Sequence, residues 1–506
     1  MGTIQYGLFN GLFMVLLLAG CSDKGSTSTF SPEDLGTVDW TLAGYPGGIP
    51  QVTTNVVEAV NSGALCDGTT DDAPALQEAI DTMLTPGVLL LPAGVCRIDA
   101  PLELRSGVVI RGGGSAATTL LCHAEAGCLL LEGSPSGDYL SITAGLTMGA
   151  TQLEVADGTL FGAGDGAEIR QDNYEPAQAD WGDENVGQMV LITAVTGNTL
   201  TISPPLHIDY ASSHNPRIRL TNFVADAGIE DLTVERLDSG GTSGNNISMR
   251  RAARCWVRRV ESNFTLQYHV SVSESVFVEI RDSYFHHAKS KGDGGQGYGA
   301  SLSRFATSVL VENNVFYETR HAMIVQIGTS GCVFGYNYSE RNYSDDGWDK
   351  TSISLHGHYP FMNLWESNIA GWVGIGDYWG PAGPGNTFFR NRIMGTDRHM
   401  EFGDYRGIQF MESAGPQYIT GNEVMAEGIF GDSLEADGVL HGNNVNGEVT
   451  WDPSRVATLE DSLYLDAKPA FFGAMEWPSL GGDQTPGAGS IPARERWLAG
   501  TPVPQP

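Results

Sequence analysis

The chain has 506 residues, 65 of them glycine and 24 proline, and only 17% are charged, a balance that favours short strands and tight turns over packed helices. Its formal charge of −32 excludes a general nucleic-acid binder, which needs a basic surface to neutralise phosphates. The charge is uneven: Arg217 to Lys350 holds 15 Lys+Arg against 16 Asp+Glu (−1), and the remainder 13 against 44 (−31). A near-neutral middle suits an anionic ligand or, equally, solvated arginines on strand faces.

The first elements in chain order are an apolar run and a polar stretch. "LFNGLFMVLLLAGCS" is too short for a comfortable transmembrane helix and has signal-peptide length. Its end, Leu18-Ala19-Gly20-Cys21, resembles the lipobox of bacterial lipoproteins, although "MGTIQYG" lacks the usual Lys or Arg. The resemblance implies a signal peptide over 1–20, a lipidated Cys21 and a polar tether over 21–49. It thus implies an exported lipoprotein of the cell envelope, at the outer membrane or cell surface. Of the other cysteines, Cys122 and Cys128 are close enough to staple a loop, and Cys66 and Cys96 are a candidate pair.

"DGTTDDAPALQEAIDTM" then predicts a helix, with Pro74 in its first turn and an apolar stripe of Ala75, Leu76, Ala79, Ile80 and Met83. Asp71 and Asp72 read as helix N-caps. Two strands with Pro-Ala-Gly and Arg-Ser-Gly turns follow. Asp67-Gly68-Thr69-Thr70-Asp71-Asp72 and Leu91-Pro92-Ala93-Gly94 resemble the opening of the pectate-lyase-like proteins, specifically their rhamnogalacturonase/epimerase-like group, with Cys96 in place of the usual aromatic. The resemblance implies an all-β, right-handed parallel β-helix (a solenoid) with an N-terminal capping helix, over 50–138 for the cap and first coils. Residues 139–215, with alternating strands and Gly-Asn or Asp-Gly turns, predict an inserted β-subdomain.

From 216 to 450 a short phrase returns: "CWVRRVESNF", "VFVEIRDSYF", "SVLVENNVFY", "CVFGYNYS", "FMNLWESNI", "NTFFRNRIM", "QYITGNEVM". Each reads as strand, polar corner, short strand. The corners align Glu261, Asp282, Asn313, Asn337, Glu366, Asn391 and Asn422 in one column. Stacked coils repeat every ~4.8 Å, so like corners meet, and Asn suits the turn. Cys255 and Cys332 open strands three coils apart, beyond disulfide reach, and read as core thiols. The Pro/Gly-rich tail over 451–506 is expected to cover the open edge of the last coil.

In carbohydrate-active proteins of the resembled fold, the outer face of the long-strand sheet is a substrate groove. The strands that fall there carry His269, Tyr298, His321, Gln326, His356, Trp372, Asp377, Tyr378, Trp379, Arg398, His399 and Glu401. Wide loops add Arg320, Lys350 and the aspartates Asp345, Asp346 and Asp349. Aromatic rings suit sugar faces, and acids, amides and bases suit hydroxyls and proton transfer. The expected partner is therefore a polysaccharide, bound by His269, Tyr298, Gln326, Trp372, Asp377, Tyr378, Arg398, His399 and Glu401. The expected catalytic set is Asp345, Asp346, Lys350, His356, Arg320 and His321.

Three chemistries stand open. β-Elimination from a uronic-acid polymer, the leading expectation, uses a base such as His356, Arg320, His321 or Lys350 and a cation or amide to neutralise the carboxylate. Hydrolysis by paired carboxylates is suggested by Asp345-Asp346 and His356-Gly357-His358, but the resemblance to polygalacturonase-type hydrolases is incomplete. A transition metal on His356 and His358 would need the two to share a strand face. Ca2+ is compatible with Asp345, Asp346 and Asp349, though not in EF-hand spacing, and no cofactor is required by the sequence. The alternative outside catalysis is a glycan-binding or adhesive surface β-helix. The protein is expected to be a monomer, joined to the membrane only through Cys21.

Overall fold

The computed structural model describes residues 38–175, 177–237, 244–292, 294–342, 344–345, 350–395 and 406–506. Cys21, the apolar run and the tether up to residue 37 lie outside these residues. Among the described residues no helix is long and apolar enough to cross a membrane.

Helix α1 (Ala73–Thr82) buries Leu76, Ala79 and Ile80 against the first coils, with proline in its first turn. Asp72 stands at the N-cap, yet its carboxylate accepts from the N–H groups of Leu65 and Cys66 at 2.7 and 3.1 Å instead. Asp71 accepts from Ala73 N–H at 3.1 Å. The adjoining loops are closed by Cys66–Cys96 and Cys122–Cys128 disulfides, while Cys255 and Cys332 are free and buried.

The chain then winds as a parallel β-helix: a 23-stranded sheet bends at a corner into a first and a second sheet, and a separate ten-stranded sheet is the third. Alternate side chains along each short strand point inward and stack on their counterparts in the next coil. In the first sheet, Ile280, Val311, Phe334, Trp365, Phe388 and Ile419 form one inward file. The rings of Phe334, Trp365 and Phe388 lie nearly parallel, at centroid distances of 5.5 and 4.8 Å. The third sheet has ten strands, in spatial order from Leu102–Glu103 to Ile429–Gly431.

The corner between the first and second sheets is an internal ladder of Asn314, Asn337, Asn368, Asn391, Asn422 and Asn443. Each Nδ2 donates to the next Oδ1 at 2.9–3.0 Å. The same Oδ1 atoms accept the preceding corner's backbone N–H, so a buried turn is fully paired. Asn337, Asn391 and Asn422 of the expected column are rungs, but Glu261, Asp282, Asn313 and Glu366 are not. The neighbouring rungs are Asn314 and Asn368, and Ser283 donates its N–H to Asn314. Glu366 is the last residue of strand Leu364–Glu366 and faces outward, beneath the tail.

Residues 134–222 leave the helix as a closed six-stranded antiparallel barrel. It packs on the turns that follow the third sheet: Met189 N–H donates to Thr307 Oγ1 and His207 pairs with Ser330. The tail runs back along the flank of the helix rather than ending over its last coil. Trp451 meets His441 in the last coil, Tyr464 donates to Glu312 at 2.8 Å, and Trp497 packs on Tyr317 and Tyr284. Residues 38–49, expected within the tether, are also docked. Trp40 Nε1 donates to Met362 O at 2.8 Å and Tyr45 packs edge-on to Trp256.

Candidate functional site

The outer face of the ten-stranded sheet has a floor of mostly small side chains: Ser271, Ser301, Ile324, Ser354 and Gly374, then Gln409. Ser301, Ile324 and Ser354 are themselves covered, at 0–3% exposure, and larger residues flank the file on both sides. At the N-terminal ends of the strands, the Tyr268 ring lies tilted against Tyr298 at 5.4 Å and Tyr298 meets His321 edge-on at 4.8 Å. Arg320 lies over the Tyr298 ring, and Arg406 over Trp372. Among the described residues, no acceptor meets the buried Trp372 Nε1.

The C-terminal ends of the strands carry the more reactive group. His356 directly follows the strand Ile353–Leu355 and points away from the core, since Leu355 points in. In the next coil a tight turn, Asp377 to Gly380, places Asp377 beside it. The Asp377 carboxylate holds His356 Nδ1 with one oxygen and accepts Trp379 N–H at 2.9 Å with the other. A carboxylate only accepts, so Nδ1 donates and the lone pair of the neutral imidazole is on Nε2. The histidine is thus oriented, with its accepting nitrogen turned away from Asp377, as a general base requires. Its side chain is 22% exposed, so the base is reachable.

Tryptophan rings surround this pair. Trp181, from the barrel, lies nearly parallel to His356 at 5.9 Å and edge-on to Trp379 at 5.3 Å. Tyr378, 77% exposed at the turn's tip, meets Trp379 at 5.2 Å. Arg304, exposed just past the strand Tyr298–Ser303, acts electrostatically on both Tyr268 and His358. Burial pushes the Tyr268 phenol up to about 12 and His358 down to about 4, so both stay neutral near pH 7. Neither Arg304 nor Trp181 figures among the residues expected from the sequence.

Several expected residues sit elsewhere. His269 is fully buried, with Nδ1 on Ser262 Oγ at 2.9 Å, and burial holds it well below the usual histidine range. The regular pairing of its strand passes over it, so its ring turns inward and it cannot line the groove. Tyr298 is also buried, its hydroxyl accepting Gly295 N–H at 3.1 Å. His321 is buried with Nδ1 2.9 Å from Thr351 O. The Asp345 carboxylate accepts Lys291 N–H at 2.7 Å and pins one loop to another. Gln326 and Lys350 are half-buried. His358 does not share a face with His356. Gly357, His358 and Tyr359 all have left-handed backbone, and the turn seats the His358 ring 3.9 Å from Trp181. Asp346, Asp349, Arg398, His399 and Glu401 lie outside the described residues.

Residues 55–151 match the family of rhamnogalacturonase A/epimerase, pectate lyase-like proteins. No curated protein matches the chain in sequence. Among solved structures, it resembles the tailspike gp61 of Pseudomonas phage phi297, at 14% identity and a TM-score of 0.57 over 78% of this chain and 68% of that one. It also resembles the Gp54 tailspike of the Acinetobacter baumannii bacteriophage AP22, determined in complex with a capsular saccharide of that bacterium. That match has 13% identity and a TM-score of 0.53, and covers 77% of this chain and 62% of the tailspike. At these identities the likeness is one of fold.

Proposed function

We propose that this chain, a pectate-lyase-like right-handed parallel β-helix protein, binds an acidic polysaccharide along the outer face of its ten-stranded sheet and cleaves it by β-elimination. The observation that carries the reading is the partly exposed His356–Asp377 pair at the C-terminal ends of these strands. In elimination from a uronate, the base removes the proton α to the carboxylate, electrons pass into the adjacent C–C bond, and the glycosidic oxygen departs. His356 Nε2 is the base, and Asp377 stabilises the imidazolium it becomes. Exposed Arg304 is the cation that offsets charge building on the substrate carboxylate. The Asp345 carboxylate already holds Lys291 N–H, which weakens the paired-carboxylate alternative. The complex of the AP22 tailspike with a capsular saccharide supports a glycan as ligand.

The test is incubation of the purified protein with a panel of uronic-acid and neutral polysaccharides. Elimination yields unsaturated products that absorb in the ultraviolet. New reducing ends without that absorbance would replace elimination by hydrolysis. Binding with neither product would leave a glycan-binding module.

A further inference from the structure

The β-helix alone does not complete this site, because the inserted barrel contributes the Trp181 ring to it. We propose that the barrel is the second wall of the groove and that Trp181, with Trp379 and Tyr378, forms a stacking subsite for the pyranose ring next to the reacting uronate. The inference rests on the polysaccharide reading above and adds the part of the molecule that selects the neighbouring sugar.

Four observations support it. The loop carrying Trp181 is held open in one shape by Asn173, whose Nδ2 donates to Gly182 O at 3.1 Å and whose Oδ1 accepts Asn185 N–H. The approach is close at the residue that follows: a Cβ on Gly182 would lie 2.0 Å from His358 Nδ1, so only glycine lets the loop sit there. His358, kept neutral by burial, offers Trp181 an uncharged surface at 3.9 Å. Trp181 and Trp379 nevertheless remain partly exposed and Tyr378 largely so. Three partly exposed aromatic rings within 5.2–5.3 Å of their neighbours, beside a base, present the flat apolar faces on which sugar C–H groups stack.

The barrel is anchored firmly enough to act as a wall. Arg170 pairs with Glu184 at 2.8 Å inside the barrel and reaches Glu274 of the helix at 3.6 Å across the junction, while Arg251 of the helix holds Glu274 at 2.8 Å. Its position is therefore set by the helix.

The experiment measures calorimetric binding of uronic-acid oligosaccharides to His356→Ala protein, in which turnover cannot confuse the reading. Added to that background, Trp181→Ala and Trp379→Ala are each expected to weaken binding about five- to tenfold. Gly182→Val keeps every ring but forbids the loop its seat, and is expected to weaken binding to the same degree. Circular dichroism and melting of each variant confirm that the helix and barrel are folded. Unchanged affinity in folded Trp181→Ala, with parent binding intact, overturns this inference and leaves the polysaccharide reading standing. Failure of the parent to bind any oligosaccharide overturns both.

Discussion

Replacing Asn368 by alanine removes one rung from the middle of the asparagine ladder. Its Oδ1 accepts Asn337 N–H at 2.9 Å and Asn337 Nδ2 at 3.0 Å, and its Nδ2 donates to Phe334 O at 2.8 Å and Asn391 Oδ1 at 2.9 Å. The site is fully buried, so no water takes over these roles without a cavity of its own. Two donors of Asn337 lose their acceptor. At about 1–3 kcal/mol for each stranded buried donor, the loss is ~2–6 kcal/mol. Asn391 keeps one partner, because Asn368 N–H still reaches its Oδ1. Asn443, the last rung, lies beside the end of the helix, where relaxation and water are available. Asn443→Ala is expected to cost less, about 1–3 kcal/mol. Equilibrium urea unfolding followed by tryptophan fluorescence reads both, from the shift in midpoint at constant m. A loss below ~1 kcal/mol for Asn368→Ala would refute the idea that the ladder holds the coils in register.

Two further outcomes follow from buried groups. Cys66→Ser opens a loop with a sequence separation of 30, and chain entropy alone predicts a loss of about 3–4 kcal/mol, read by the same urea titration. Glu312 and Glu366 are each pushed up to about 7, chiefly by burial beneath the tail. Below about 4.5 both folded and unfolded chains are protonated there. As pH rises towards 7 the unfolded chain has released protons that the folded chain keeps, so stability falls across that window. Glu312→Gln with Glu366→Gln should flatten the fall, as measured by melting temperature from pH 4.5 to 7. An unchanged slope would show that other groups govern it.

The fold was legible because a solenoid writes its repeat into the chain. The inward file through Val311, Phe334, Trp365 and Phe388 can be read from β-branched and aromatic residues just before each corner. The rung was harder to place, since "ENN" offers two asparagines and "ESN" puts an acid at the visible corner. The structure supplies the rule: the rung is the residue just before the second-sheet strand, as Asn314 precedes Val315–Tyr317 and Asn368 precedes Ile369–Ala370. In the site, His356 and Asp377 could be selected from strand position, but their contact depends on the turn that brings Asp377 back. Arg304 follows its strand, where the alternation has ended, and so carries no periodic signal. Trp181 lies in an insert without coil periodicity, so no sequence spacing links it to His356. His269 shows the reverse failure, a polar residue on an expected groove strand whose ring turns inward to Ser262.

The most direct measurement compares His356→Ala with the parent on a uronic-acid polymer, recording affinity and ultraviolet-absorbing product together. The parent should make unsaturated product. The variant should bind within about twofold of the parent and turn over about 10²–10⁴-fold more slowly, the range for loss of a positioned general base. Elimination at an undiminished rate in the folded variant, or cleavage by the parent without unsaturated product, would contradict His356 as the base of a lyase.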